Sequence, residues 1–484
     1  MPKFNVISEP WIDVVTKEGL VEVVGIRKLF ENAHNYIDIV EESPLKEYGI
    51  FRLLTVFLMD MYEPVDVVDL KEILSGKQFN ISIFDKYIQK CELEIFNCFD
   101  LFDKEHPFLQ TKYNEGYDKI IKPINVIDCE IPSGNDKPLY YYGNPLEVKK
   151  SYADCLKSLC SIYPFSTAMA QGYPSCINST PPYYFIIKGE NLFETLIYNS
   201  ITKSTMSLLS EYNNPKVVWR NKKEVVLKEQ LETTSLLEGM TLLPRRVTLI
   251  PNEDNETVSN VYFSQGINFI GYSVWRDPHT AVKKGKDIFT SIKPSANKKV
   301  WQEIGVIFTK ESNDKLAPIT IQQMKDLNKD VDNINATVYG VITNQAVYLN
   351  TIREVVSIPF EILEDETKME CFSECIRWVE EVEKCLRSDI RKLNNDLYIR
   401  NIKNYVFSEL AAKIINLDLI SSDDVTNIYD FWKSVLLKEA MSSYITEIEQ
   451  VNMSAEVLKK YIKESSALKG RLRKLLEKKG VEDK

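Results

Sequence analysis

The side chains able to do acid–base chemistry are few. The chain has three histidines, His34, His106 and His279. His106 stands in Glu105-His106-Pro107-Phe108, and His279 closes Trp275-Arg276-Asp277-Pro278-His279. Arg276, Asp277 and His279 could in principle form an active site. However, Asp-Pro-His is also a common way to begin a turn, and no nucleophile motif flanks it. Gly-x-Ser-x-Gly, a Walker loop, Gly-x-Gly-x-x-Gly and His-Glu-x-x-His are all missing from the sequence. Cys371 and Cys375 are four apart in a segment that reads as helix, but no histidine lies near them, so buried free thiols are expected and no metal. The nine cysteines follow no disulfide spacing. The expectation is a protein that is not an enzyme and needs no cofactor.

Chemistry without turnover is better represented. Lys283-Lys284-Gly285-Lys286 and Lys298-Lys299 flank the Trp275 block and could hold phosphates, although a solvated loop would look the same. From Lys459 to Lys479 the chain is basic, including Lys469, Arg471, Arg473 and Lys474, while the segment from Glu361 to Glu383 is acidic. Pairing between helices and contact with a phosphate backbone both fit that pattern. The net charge of −10 argues against a protein that coats nucleic acid by itself.

These residues must be placed by a fold of several elements. The chain has 484 residues, enough for two to four domains. Phe4 to Val24 reads as a hairpin turning at Lys17-Glu18-Gly19, Ile26 to Ala33 as a short helix, and Glu47 to Tyr62 as a buried helix. From about Phe99 to Pro359, strand-like runs such as Tyr183 to Ile187 alternate with short helices and long loops. No proline occurs from Phe360 to Lys484, and four helical segments are expected at roughly 361–386, 388–418, 422–448 and 454–479. The expected class is α+β: a mixed domain over 1–360 with long loops, then a four-helix bundle over 361–484. No apolar run reaches the roughly 18–20 residues of a membrane span, and the opening Met1-Pro2-Lys3-Phe4-Asn5 has no hydrophobic signal region, so a cytoplasmic protein is expected.

Several blocks in order resemble one family. Phe4-Asn5-Val6-Ile7-Ser8-Glu9-Pro10-Trp11-Ile12 resembles its opening strand. Asp100-Leu101-Phe102 with His106-Pro107-Phe108-Leu109-Gln110-Thr111 resembles a second block, and Glu130-Ile131-Pro132-Ser133-Gly134-Asn135 resembles the start of a recognition loop. Lys188 to Leu196, Gly239 to Leu249 with Pro244-Arg245-Arg246, Trp275 to His279, and Asn344-Gln345-Ala346 complete the set. The family is CasA, the large subunit of the type I-E CRISPR Cascade complex.

That resemblance implies partners: other Cascade subunits, a guide RNA and double-stranded target DNA. Cleavage would fall to a recruited helicase-nuclease or to a nuclease carried by a variant subunit. Base pairing with the guide reads the target, and protein reads a short neighbouring tag, the protospacer-adjacent motif. In this family the large subunit reads it from the minor groove and helps open the duplex. Asn344, Gln345 and Ala346 match the wedge turn, for which an ordinary Asx-type turn is the plain alternative. Ser133, Gly134, Asn135, Tyr140, Tyr141 and Tyr142 match a loop for nucleic-acid or subunit contact. The family's glycine-rich loop corresponds to about Ser166 to Tyr173, where only Gly172, beside Gln171, is glycine. Where the family can place a lysine before the Trp275 block, this chain has Gln265 and Gly266. A structural scaffold with no direct DNA reading is the rival expectation.

Overall fold

The computed structural model describes residues 2–131, 148–169, 172–210, 217–271, 275–285, 288–295, 300, 315–327, 331–344, 347–393, 410, 413–414, 422–449 and 455–477. The chain divides into two compact units. The first holds Met1–Asn297, Asp314–Lys329 and Asn335–Val356; the second holds Lys298–Asn313, Asp330–Ile334 and Ser357–Lys484.

In the first unit, the opening hairpin forms as the alternation expects. Strands Ile12–Thr16 and Val21–Val24 pair antiparallel, and the strand Tyr36–Ile39 joins on the other side. The helix Pro44–Tyr62 is the centre of this unit. Ser43 caps it by accepting from the Lys46 N–H, Pro44 starts it, and Glu63 ends it at φ 46°. Its residues are buried on every face from Glu47 to Met61. A helix surrounded in this way is part of the core and has no solvent side. Gly49 shows how close the packing is: a Cβ there would lie 2.5 Å from the Cys160 carbonyl oxygen of the helix Tyr152–Phe165.

A buried helix has to find partners for most of the polar groups it carries. Asp60 accepts from Tyr87 at 2.6 Å and from Arg220 at 2.9 and 3.0 Å. Arg52 pairs with Asp277 at 2.7 Å. Glu47 accepts from Tyr339 at 2.5 Å and from Arg353 at 2.9 and 3.1 Å. Tyr339 and Arg353 lie on the long strands Asn333–Asn344 and Val347–Pro359, which are neighbours in a three-stranded sheet completed by the strand Tyr184–Lys188. Asn333–Asn344 is the middle strand, and its residues from Ala336 to Val341 are all buried. A second sheet is organised around the strand Thr257–Gln265, which pairs antiparallel with Arg245–Pro251, with Ile121–Pro123 and with Lys150–Ser151.

The second unit is helical in its described residues beyond Phe360. The short helix Phe360–Glu364 stops at Asp365, whose carboxylate accepts from the Thr367 and Lys368 N–H groups and so caps the next helix, Glu366–Leu393. That helix buries Phe372, Cys375, Val379, Val382 and Leu386, spaced alternately three and four apart. It runs unbroken past the expected break near residue 387, because nothing between Arg387 and Leu393 interrupts it. The helices Ser422–Glu449 and Ala455–Glu477 contribute Trp432, Leu436, Ala440, Leu468, Leu472 and Leu476 to the same core. Trp432 donates its indole N–H to the Cys375 carbonyl at 3.1 Å. The two cysteines Cys371 and Cys375 are buried free thiols. Most of the expected helix 388–418 lies outside the described residues; Leu410, Lys413 and Ile414 are helical. Among the described residues no helix is long and apolar enough to cross a membrane.

Candidate nucleic-acid interface

The Asn344-Gln345-Ala346 block falls between the ends of two long paired strands. Asn333–Asn344 finishes at Asn344, which is exposed, and the neighbouring strand begins at Val347. Gln345 and Ala346 themselves lie outside the described residues. Strands joined by two residues are antiparallel, so the block sits at the far end of a hairpin. Past the buried run Ala336–Val341 the middle strand is half-buried at Ile342 and Thr343 and exposed at Asn344. The middle strand is thus a buried support that ends at the exposed Asn344, while the returning strand Val347–Pro359 is half-buried or exposed over most of its described residues.

A second group forms around Gly172. Its φ is +78°, where a Cβ is strained, and a Cβ built there would lie 3.5 Å from the Gln265 side-chain nitrogen. Gly172 and Gln265 are therefore brought together, while Gln171 lies outside the described residues. Gln265 is largely buried at the end of its strand and pairs in register with Arg245. Arg245, quoted only as part of a matching block, turns out to organise this group. Its guanidinium donates to the Thr167 carbonyl at 2.7 Å and to the Pro174 carbonyl, one contact on either side of Gly172. It also lies 5.3 Å from the centre of the Tyr173 ring. Lys122 sits 4.9 Å above both the Tyr173 and Phe263 rings.

Arg245 and its neighbour Arg246 contrast sharply. Arg246 is fully buried and pairs with both carboxylate oxygens of Asp118, at 3.1 and 2.7 Å. Among the described residues, no carboxylate pairs with Arg245. Burial without a counter-charge pulls its pKa down to about 10. It stays a cation at neutral pH, so the Thr167–Pro174 segment is anchored on a fixed positive charge. Sequence reasoning missed this role, because an arginine pair on a strand gives no sign of which member is neutralised.

The loop carrying Ser133, Gly134, Asn135, Tyr140, Tyr141 and Tyr142 lies outside the described residues, but its base does not. Asp128 before it pairs with Lys150 after it at 2.7 Å, and Lys46 reaches the same carboxylate at 3.3 Å. Burial alone would raise the Asp128 pKa, yet the two ammonium groups and the Ser158 hydroxyl outweigh it and hold the carboxyl below its ordinary value. Lys283 and Lys284 are exposed on the strand Val282–Lys284, which pairs with Phe289–Ser291. Lys286, Lys298 and Lys299 lie outside the described residues. On the helix Ala455–Glu477, Lys469, Arg473 and Lys474 are exposed. Arg471 is instead tied to Asp389 (Nε–Oδ2 3.0 Å) and lies 3.6 Å from Glu464, which commits it to packing between helices.

The Trp275–His279 block serves the interior. His279 is buried, with Nδ1 3.1 Å from the Tyr48 hydroxyl and Nε2 2.9 Å from the Asn199 carbonyl. The carbonyl can only accept, so Nε2 carries the proton and Nδ1 accepts from Tyr48. Burial pulls the imidazole pKa down to about 4, which keeps it neutral near pH 7. Asp277 is consumed by Arg52, and the Arg276 guanidinium lies 4.8 Å from the centre of the Phe289 ring. Both ring nitrogens of His279 are engaged inside the core, so the three residues do not converge on an open site. Among the described residues, no group of three or more His, Cys, Asp or Glu could hold a metal ion.

Comparison with known proteins agrees with this geometry. The family model for CRISPR-associated protein Cse1 matches residues 5–424. A CRISPR-associated protein CasA/Cse1 of Thermus thermophilus is 24% identical over 412 residues, covering 80% of this chain and 77% of its own. The structure of Thermus thermophilus CasA (Cse1) superposes with a TM-score of 0.77 at 21% identity, covering 98% of this chain and 99% of that one. A chain of a CRISPR RNA-guided surveillance complex superposes with a TM-score of 0.73 at 15% identity, covering 97% and 100%. At these identities the superpositions establish the fold, and the family match over most of the chain establishes the lineage: this chain belongs to the CRISPR-associated Cse1 family, also called CasA.

Proposed function

We propose that this chain is the large, non-catalytic subunit of a cytoplasmic type I-E CRISPR surveillance complex, where it reads the protospacer-adjacent motif in double-stranded DNA from the minor groove and helps to open the duplex. The observation that carries the reading is the position of Asn344-Gln345-Ala346 at the end of a hairpin whose outgoing strand is buried from Ala336 to Val341. A wedge must displace stacked bases, at a cost of a few kcal/mol, and a strand buried over six successive residues can bear that load. Gln345 offers both a donor and an acceptor to exposed base edges. The segment around Gly172, resting on the Arg245 charge, supplies a second surface for the minor groove, with Gln265 behind it. Lys283 and Lys284 supply phosphate contacts, as do Lys286, Lys298 and Lys299 by their sequence positions. The loop bearing Tyr140 to Tyr142 meets guide RNA or a neighbouring subunit, and Lys469, Arg473 and Lys474 face a nucleic-acid strand. Cleavage belongs to another protein.

The test is equilibrium binding of the assembled complex, at one salt concentration, to duplexes with varied tag bases. Gln345→Ala weakens binding to intact duplexes and leaves binding to targets already melted beside the tag unchanged. Equal binding of both proteins to every duplex would remove the wedge and favour the scaffold reading, to which the net charge of −10 lends some support.

A further inference from the structure

We infer that Glu47, Tyr339 and Arg353 form a clamp that positions the hairpin tip for duplex opening. The inference rests on the wedge reading and names the residues through which the body of the protein would hold that wedge.

The geometry is specific. Glu47 lies in the first turn of the central helix, with its side chain 2% exposed. Its two carboxylate oxygens are divided between the two strands of one hairpin. Oε1 accepts from the Tyr339 hydroxyl at 2.5 Å and from Arg353 Nη2 at 3.1 Å, and Oε2 accepts from Arg353 Nε at 2.9 Å. Tyr339 lies on the outgoing strand and Arg353 on the returning one. Both strands are therefore fastened to one carboxylate on the helix that forms the core of the unit.

The spacing to the tip suits a stem and a lever arm. Tyr339 is five residues before Asn344, and Arg353 is six after Val347. At about 3.3 Å per residue, the clamp sits roughly 17–20 Å from the tip. The pairing of the middle strand with Tyr184–Lys188 ends at Tyr339, and burial ends two residues later at Val341, so the clamp lies close to where support ends. The Tyr48 ring packs 5.6 Å from the Tyr339 ring and stacks on Tyr184 at 4.2 Å, which braces the clamp from the side. The attachment is also electrically matched. The hydrogen bond to Glu47 raises the Arg353 pKa, and burial beside that carboxylate raises the Tyr339 pKa. Both therefore remain protonated donors at neutral pH.

Packing alone does not account for this arrangement. An apolar residue at 47 would avoid burying a carboxylate, and Arg353 reaches in from a side chain 40% exposed. What the charged arrangement adds is direction. An apolar contact tolerates sliding of one strand, whereas a fork of two N–H donors on a carboxylate fixes both register and angle. Function at a distance depends on such angles, because a change in direction at the clamp is carried along the strands to the tip.

The experiment uses the assembled complex with its guide RNA, an intact duplex target, and the same target melted beside the tag. Tyr339→Phe removes one hydrogen bond without changing shape, Arg353→Met removes the fork, and Arg353→Lys keeps the charge without it. Thermal melting of each full chain checks folding. Tyr339→Phe and Arg353→Met are expected to weaken intact-duplex binding by roughly tenfold and leave the pre-melted target unaffected, with Arg353→Lys intermediate. Equal losses on both targets would reduce the three residues to general stability and overturn the inference. Native-like duplex binding by the clamp variants, alongside a loss in Gln345→Ala, would overturn it while leaving the wedge standing. A silent Gln345→Ala with a duplex-specific loss in the clamp variants would remove Gln345 from the wedge and keep the clamp.

Discussion

The two units handle charge in opposite ways. In the first, carboxylates and guanidinium groups are taken into the core and paired there: Arg52 with Asp277, Arg246 with Asp118, and Glu47 with Arg353. In the second, most described pairs join residues three or four apart along one helix and face solvent, such as Arg377 with Glu374 and Lys384 with Glu380. The first pattern links elements distant in sequence and fixes a unique arrangement. The second mainly keeps a helix surface soluble and leaves the packing to apolar residues spaced three and four apart.

The comparison is tested most severely at Arg52. Replacing it with Met leaves Asp277 buried without a counter-charge, with the Asn178 amide and the His279 backbone N–H still donating to it, and denaturant unfolding of the full chain should show a loss of about 3–5 kcal/mol. A loss under 1 kcal/mol would mean that the first unit does not depend on its buried pairs. Next comes acid. His279 is held near pKa 4 in the folded chain and returns to about 6.5 when unfolded. The unfolded state then binds more protons between those values, so stability is complete above about pH 6.5 and falls as the pH drops toward 4, by on the order of 3 kcal/mol in all. His279→Gln should flatten that part of the stability profile; an unchanged slope would assign the titration to another group.

Arg471 tests the boundary between the two patterns, because it is half-exposed yet reaches Asp389, whose side chain is 2% exposed. Arg471→Ala should cost about 1–2 kcal/mol, less than Arg52→Met because solvent screens one partner. The smallest effect belongs to Lys384, 76% exposed and 4.0 Å from Glu380. Lys384→Ala should change stability by about 0.3–0.5 kcal/mol, and a larger loss would contradict the surface role given to such pairs.

Local sequence carried different regions to different depths. The opening hairpin was legible because alternation and a turn at Gly19, whose φ is +80°, point the same way. The helices Ser422–Glu449 and Ala455–Glu477 were legible from the absence of proline and the breaks between segments, whereas Glu366–Leu393 runs through the break expected near 387. The three-stranded sheet was not: its middle strand alternates polar and apolar from Asn333 to Val338, but the alternation breaks at Tyr339-Gly340-Val341-Ile342, within the stretch Ala336–Val341 that is buried on both faces. Gln345-Ala346 is also not one of the Asn-Gly or Gly-containing pairs that announce a tight hairpin, so the block was recognisable only by its resemblance to the family. Of the candidate interface, Gly172 and Gln265 could be named in advance, but Arg245 could not. Its importance lies in having no carboxylate partner among the described residues, where its neighbour Arg246 has Asp118, and only tertiary structure distributes such partners.

The pairing of Glu47 also has a consequence for how the chain is made. Its partners Tyr339 and Arg353 lie 292 and 306 residues further on. A ribosome adding about 5–20 residues per second needs roughly 15–60 s to cover that distance. For that interval the nascent chain carries its central helix with a carboxylate that has no native partner, even though helices made earlier, such as Tyr152–Phe165, can already pack on it. Folding of the first unit is therefore tied to late translation, and chains interrupted before residue 339 are natural clients for chaperones and proteases.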